Sequence, residues 1–446
     1  MKSNFCESVP PVGKSNVPFD SFFALFTFLR YACRFRASEE KIRELRDYKL
    51  KSLISHAYQT VPYYRKLFRE NHISPADIKS VEDLNIIPIT KKSDLMEFGI
   101  ENCISKKYIN SPDLVRQSTS GSTGTPVNLI FRKAERMIMD MVRLRAEMMN
   151  GLRVNDKVAL VGCGGTTMDM KMTGKWYERI GFFRVAPIPS NCTISTQASL
   201  LREYSPDIIF GFPSLLELIA RHILENKICV SAPRLIFCSG EVLRESSFKI
   251  IKEAFDCEIF NFYGAAEVGN IAWECYKHQS LHINSDVLIV EVLNGKNEPC
   301  MNGQIGKCIV TSFISYTMPL IRYDLRDMVS MKTGKCNCGI NFPLIKSIHG
   351  RDNDFITLEN GKRIAPVQVF PIFLDKSIKQ YQIIQEDVDQ IVIKIVPTRN
   401  FSNIVKKLRS ELCQLFGEKV YLEFHIVSSI DFESSGKFKS IISKVI

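Results

Sequence analysis

Short apolar runs alternate with longer amphipathic stretches through the middle of this chain, and no other feature restricts its fold as much. "DKVALVG" (156–162), "PDIIFGF" (206–212) and "RLIFCSG" (234–240) are apolar enough to be buried strands. "PSLLELIARHILENK" (213–227) and "SFKIIKEAF" (247–255), which follow, space their apolar residues at helical intervals. Apolar strands separated by helices predict an α/β sheet whose strand ends and loops form a site. Upstream, residues 38–110 read as helical, with Pro62 ending one run. Downstream, "LIVEVLNGKNEPCMNGQIGKCIVTSF" (288–313) reads as hairpin-rich, with Asn-Gly twice as a turn signal. Beyond "IHGRDNDFITLENGKRI" (348–364), "QIVIKIV", "IVKKLRSELCQLFG" and "VYLEFHIV" suggest a compact α+β unit. The expected architecture is a large N-terminal α/β domain with a β-rich subdomain (38–351) and a small mobile α+β C-terminal domain (352–446). Residues 1–37 form a separate N-terminal segment, and the polar stretch Asp352–Asp354 is the expected hinge.

A chain of 446 residues accommodates that division. Its 59 basic and 48 acidic residues leave a net charge of +11, which suits an anionic ligand or an anionic surface. The basic residues are scattered, without the aromatic-interleaved runs of nucleic-acid modules, so nucleic acid is not an expected partner. The fourteen cysteines are spread over the chain without a secretory signal and read as reduced thiols of a cytoplasmic protein. "FDSFFALFTFLRYACRFR" (19–36) is too short in its apolar run, Phe22 to Leu29, to span a bilayer. Two readings stay open for it. It is a packing helix, or it is an amphipathic foot at the inner membrane face with Arg30, Arg34 and Arg36 at the headgroups.

"RQSTSGSTGTPV" (116–127) concentrates six small hydroxyl residues around Gly121 and Gly124. Small residues let backbone N–H groups and hydroxyls crowd around anionic oxygens, so the stretch reads as a phosphate loop or as a surface linker. It lacks the GxxxxGK[ST] spacing of a P-loop. "FNFYGAAEVGN" (260–270) places Tyr263, Gly264 and Glu267 together at a strand end. A ring there suits a stacked base, and a carboxylate suits Mg²⁺ held on phosphates. "PLIRYDLRDMV" (319–329) adds Asp327, a carboxylate able to accept from both hydroxyls of a ribose. "HGRDND" adds Arg351, and "SSGKFKS" places Lys437 in a glycine-preceded loop near the C-terminus.

In this order the segments resemble the adenylate-forming superfamily, the acyl-CoA synthetases and adenylation domains, and within it the phenylacetate–CoA ligase/CapK-like branch. The resemblance runs from about residue 40 to the end. "AYQTVPYYRKLF", "SVEDLNIIPITKKSDL", "YSPDIIFGFPSLLELIA" and "FCSGEVL" carry it beside the motifs above. It implies that Ser118, Thr119, Ser120, Gly121, Ser122, Thr123 and Gly124 form the loop over the β- and γ-phosphates of ATP. It implies Tyr263 and Gly264, with the backbone of Gly240 and Glu241, around adenine, and Glu267 on Mg²⁺. Asp327 holds the ribose, Arg351 contacts the nucleotide near the hinge, and Lys437 enters the closed site to stabilise charge as a carboxylate attacks the α-phosphate. Val127 stands where many relatives carry a lysine, Ala266 where a hydroxyl is usual, and Asn353 where a hinge aspartate is usual. "VGCGGTTMDM" (161–170) and "GFPS" (211–214) are the expected lining of the substrate pocket.

Cys275, His282, Cys336 and Cys338 offer one imidazole and three thiols, enough for a closed tetrahedral zinc site of structural type. Some members of this branch carry such a zinc, which supports the set; His278 is a rival ligand, and four unrelated reduced residues are the plain alternative. The function implied is ATP-dependent activation of a small carboxylate as acyl-AMP, followed by transfer to CoA, an amine or a hydroxyl acceptor. CapK-like relatives point to cell-surface polysaccharide as one setting. The alternatives are a catalytically silent nucleotide-binding relative, for which Val127, Ala266 and Asn353 speak, and an adenylyltransferase that leaves AMP on its substrate.

Overall fold

The computed structural model describes residues 17–118, 127–162, 181–375, 377–398, 404–433 and 437–445. It is a mixed α/β protein built on one large sheet, with a smaller sheet of its own at the C-terminal end.

The helical N-terminal third begins with α1 (Val17–Ala32), α2 (Glu39–Thr60), α3 (Pro62–Glu70) and α4 (Lys92–Phe98). The Ser38 hydroxyl accepts from the Lys41 N–H and caps α2. Pro62 does more than stop α2. It sits in the first turn of α3, where its missing N–H costs nothing. Helix α1 turns Thr27 and Tyr31 inward and leaves Leu25, Phe26 and Leu29 more than half exposed. Two of the arginines read as headgroup contacts are turned to the protein. Arg34 pairs with buried Asp286 (3.5 Å), and Arg30 has a buried Nε. Asp286 also takes a two-pronged bond from Arg145 (2.6 and 2.7 Å), so a buried ion cluster ties the N-terminal region to the core. Among the described residues no helix is long and apolar enough to cross a membrane.

A two-stranded ladder, β1 (Leu114–Ser118) and β2 (Asn128–Arg132), flanks the serine-rich stretch, and α5 (Lys133–Met149) follows. The large sheet then starts with β3 (Lys157–Val161), β4 (Arg184–Ile188), β5 (Ile208–Gly211), β6 (Leu235–Ser239) and β7 (Glu258–Ala265). These five are parallel, in the order β4-β3-β5-β6-β7. Helices α6 (Ile194–Tyr204), α7 (Pro213–Glu225) and α8 (Glu245–Phe255) connect them and bury their apolar stripes against one face. The opposite face packs Val158, Ile208, Phe237 and Phe260 with Ala146 of α5.

At β7 the sheet changes character. Strands β8 (Gly269–Glu274), β9 (Leu281–Ile283), β10 (Leu288–Leu293), β11 (Ile305–Ser312), β12 (Tyr323–Lys332) and β13 (Leu344–Arg351) continue it antiparallel, in the order β7-β8-β9-β13-β12-β11-β10. The β-rich region expected as a subdomain is therefore continuous with the parallel strands. After a short turn at Asp352–Asp354 comes the minor hairpin β14 (Ile356–Thr357) and β15 (Arg363–Ile364). Strands β16 (Ile378–Asp387), β17 (Gln390–Pro397), β18 (Tyr421–Ile426) and β19 (Ile441–Ser443), ordered β18-β17-β16-β19, form the C-terminal sheet. Helix α9 (Ile404–Phe416) covers it, and a core of its own holds Ile383, Ile393, Leu408 and Leu412, all fully buried.

Candidate active site and metal cluster

The ends of β6 and β7, the start of β12 and the end of β13 converge where the parallel half of the sheet meets the antiparallel half. A cavity of about 240 Å³ opens there. Gly240, Tyr263, Gly264, Glu267, Asp327, Arg351 and Lys437, far apart in the chain, all line it. Strand register explains part of this, because Asp327 of β12 stands opposite Arg351 of β13. The Tyr263 hydroxyl donates to Asp327 Oδ2 (2.7 Å), and Arg351 Nε lies 3.6 Å from Oδ1. Burial raises the Asp327 carboxyl, with Arg351 opposing, and raises the Tyr263 hydroxyl well above its usual value. Burial likewise raises Glu267, with its own backbone N–H opposing and the charge of Asp327 adding to the rise.

Lys437 comes from the C-terminal unit and reaches into this cavity. Its Nζ lies 5.7 Å from the centre of the Phe212 ring, and burial, then the Arg351 charge, lowers its pKa. Gly240 has φ +85°, and a Cβ there would stand 2.8 Å from the Phe212 ring and 3.3 Å from Lys437 Cε. Only glycine leaves the lysine that path.

Two further side chains belong to the site, that of Glu241, expected there only through its backbone, and that of Lys92. Glu241 was expected to offer its backbone to a base. Its side chain instead accepts from the Phe438 N–H (2.7 Å) and from the Ser214 N–H (3.0 Å) at the start of α7. One carboxylate thus clasps the lysine segment to the large sheet, at a helix N-terminus that favours negative charge. Lys92 of α4 lines the same cavity and interacts with Glu267; burial lowers its pKa. "ITKKSDL" held two lysines, and only the fold distinguishes the exposed Lys91 from Lys92.

Asn353 sits between two carboxylates with different tasks. Asp354 accepts from the Arg351 N–H (3.1 Å), and burial pushes its carboxyl up to about 6. Asp352 pairs with Arg363 (2.7 Å). Ser118 ends β1. Thr119, Ser120, Gly121, Ser122, Thr123 and Gly124 lie outside the described residues, as do 163–170 of the expected pocket lining.

The second cluster forms behind the sheet. Cys275 follows β8, His282 is in β9, and Cys336 and Cys338 occupy the turn from β12 to β13. Their ligand atoms all lie within 4.8 Å of one another. Cys275 and Cys336 sulfurs are 3.7 Å apart, and Cys338 Sγ is 3.3 Å from His282 Nε2. Two thiolates on one tetrahedral zinc, each about 2.3 Å from it, stand about 3.8 Å apart, so the spacing fits that ion. Burial pushes His282 down to about 4, which keeps the imidazole neutral as a ligand must be, and pushes the Cys275 thiol up to about 12. A divalent cation reverses the penalty on the thiolates. His278 is elsewhere, 3.2 Å from Glu258 and 3.4 Å from Glu274, with its ring stacked on Phe260.

A family model described as the CapK C-terminal domain matches residues 356–444. The chain is 26% identical to phenylacetate-coenzyme A ligase of Thermus thermophilus, over 81% of this chain and 83% of the relative. It is 25% identical to protein CapK of Staphylococcus aureus, over 94% of this chain and 95% of that one. Among solved structures, 2-hydroxyisobutyryl-CoA ligase in its postadenylation state superimposes with a TM-score of 0.75 at 20% identity, covering 92% of this chain and 91% of that one. The same ligase in its thioesterification state gives 0.62 at 20% identity, with the same coverage of 92% and 91%.

Proposed function

We propose that this chain, which belongs to the phenylacetate–CoA ligase/CapK-like branch of the adenylate-forming superfamily, joins a small carboxylic acid to AMP and then passes the acyl group to an acceptor. It is an AMP-forming ligase. The observation that carries the two-step reading is that the C-terminal unit brings Lys437 into a cavity whose opposite wall is built by strands of the large sheet. In the first step a carboxylate oxygen attacks the α-phosphorus of ATP, and the bond to the β-phosphate breaks, releasing pyrophosphate. Lys437 places a cation where negative charge gathers during that attack. Asp327 accepts from the ribose hydroxyls, Arg351 faces the nucleotide, and Tyr263 lines the place for the base. Lys92 adds a cation to the cavity that Ala266 also lines, the position where relatives usually carry a hydroxyl.

Mg²⁺ commonly binds through one or two carboxylates together with substrate phosphates. Glu267, raised by burial and facing the cavity, suits that arrangement. Mg²⁺ bound there would neutralise phosphate charge. The cysteine–histidine cluster suits a structural zinc, since four protein ligands leave no position for water.

In the second step the acceptor attacks the acyl carbonyl and AMP leaves, which requires Lys437 to move away. The named relatives favour a CoA thiol as acceptor. A hydroxyl or amine, on a cell-envelope sugar for example, is the alternative acceptor. Incubation with ATP, Mg²⁺ and a panel of carboxylic acids should release pyrophosphate in an acid-dependent way. No release with any acid would leave a nucleotide-binding relative that does no chemistry.

A further inference from the structure

A second cavity, of about 290 Å³, lies between α5 and the parallel strands, and its position next to the lysine makes it the place for the acid's tail. Ser239 lines this cavity while its neighbour Gly240 lines the polar one, and the Phe212 ring under Lys437 forms part of its wall. An acid whose carboxylate meets Lys437 would extend past Phe212 into this space. The walls are apolar, with Leu160, Val161, Phe210 and Phe237 among them, and the Phe210 and Phe237 rings stack at 4.8 Å. The volume is about twice the roughly 150 Å³ that accommodates a benzene ring, so a substituted aryl group fits.

Four charged residues, Arg143, Glu147, Arg153 and Asp156, interrupt the apolar pattern, and Asp156 is held by Arg234 (2.6 Å). Glu147 of α5 is 3% exposed and lines the cavity. Its Oε1 is buried and accepts no hydrogen bond. Arg143 Nε approaches to 3.1 Å, an ion pair out of line for a hydrogen bond, from a side chain 38% exposed. Helix α5 runs back toward the start of β3 through the short connection 150–156, so Glu147 lies one helical turn, about 5 Å, deeper than Arg143. Buried carboxylate oxygens in proteins are nearly always paired. One that has an ion pair but no hydrogen bond can still take a donor, and burial has raised this carboxyl with Arg143 opposing.

We infer that the substrate acid, on the ligase reading above, has an aryl-sized apolar body ending in a hydrogen-bond donor, a hydroxyl or an amino group, which meets Glu147. The donor keeps its proton and no bond is made or broken at that end, so Glu147 determines specificity and takes no part in catalysis. Acids of the same shape that end in a methyl group leave Oε1 without a hydrogen bond, held by the Arg143 ion pair alone, and bind more weakly. Acids ending in a second carboxylate are repelled.

The test uses arylacetates and arylpropanoates carrying a para hydroxyl, amino, methyl or carboxyl group, as free acids and as non-hydrolysable acyl-sulfamoyl adenosines. In the full-length protein the hydroxyl or amino analogue should bind at least about tenfold tighter than the methyl one. Glu147→Leu should erase or reverse that ratio, and Glu147→Gln, which keeps an acceptor and the side-chain shape, should retain part of it. Equal binding of the hydroxyl, amino and methyl analogues overturns the inference. So does a ratio untouched by Glu147→Leu, or preference for the para-carboxyl analogue, which would hand the tail to Arg143. The ratio between analogues reads the cavity even if no acid is adenylated. Pyrophosphate release from the free acids tests the ligase reading separately.

Discussion

Two groups of titratable side chains, both assembled from distant parts of the chain, differ in what surrounds them. The cysteine–histidine group is closed. Cys275, His282 and Cys336 are at most 5% exposed, Cys338 is half-buried, and the four ligand atoms lie within 4.8 Å of one another. The group around Lys437 borders a cavity, includes half-buried Lys92, Arg351 and Asp327, and takes its lysine from a unit with a core of its own. Enclosure suits holding an ion for the sake of stability. A cavity walled in part by a unit with a core of its own suits binding, reacting and releasing. The same residue classes thus serve two ends according to what they leave open.

The largest effect that would break this contrast is at Lys437. Lys437→Ala should lower acyl-AMP formation by roughly two to three orders of magnitude, with little change in ATP affinity. Supplied with preformed acyl-AMP, the same variant should complete acyl transfer at close to the unmodified rate. Equal loss in both steps would make the lysine segment a structural element like the cysteine cluster.

Glu241→Ala should come next. It removes the acceptor of two backbone N–H groups, each bond to a charged group being worth about 1.5–3 kcal/mol. Adenylation should fall roughly tenfold or more, because the closed pose is less populated, while transfer should fall less. Single-turnover measurement of each half-reaction separates them, and unchanged adenylation would mean that the clasp does not hold the closed pose.

The smallest effect on chemistry should come from the closed cluster. Cys336→Ser should reduce zinc from about one per chain and lower the melting temperature by several degrees. Activity per folded molecule, measured well below that temperature, should stay within about threefold, the size of a small conformational loss. Metal analysis, thermal denaturation and a low-temperature assay on one preparation decide it. A zinc-free protein of full stability would remove the cluster's assigned purpose.

Much of the site was legible because its chemistry is carried by local motifs. Tyr263, Gly264 and Glu267 share one segment, and Asp327, Arg351 and Lys437 each sit in a short distinctive one. All six line the same cavity. Lys92 and Glu241 were missed as working side chains for a common reason. Which of two adjacent lysines turns inward, and whether a glutamate reaches a helix start or a backbone N–H nearly two hundred residues away, depends on neighbours that periodicity does not supply. Glu147 is a stronger case. On a helix it reads as an ordinary partner of Arg143 four residues earlier, and only the packing of α5 on the sheet makes it a buried polar member of a mostly apolar wall.

The sequence by itself determined the elements and the class of fold. Apolar runs of strand length, helical spacing between them and glycine-rich turns each act over a few residues, and a chain can express them before it folds. Tertiary structure alone decided the pairings. It put His282 with the three cysteines and sent His278 to two glutamates, through the register of β9 against β8 and β13. It turned Thr27 of α1 inward and left Leu25 and Phe26 outside, against the simplest reading of an apolar helix. It joined the parallel and antiparallel strands into one sheet at β7, and so created the crevice to which Lys437 comes. The physical reason is range: propensity and patterning are local free energies, whereas a site of this kind is a set of distances between residues as far apart in the chain as Lys92 and Lys437, set only when strand register and side-chain packing are satisfied together.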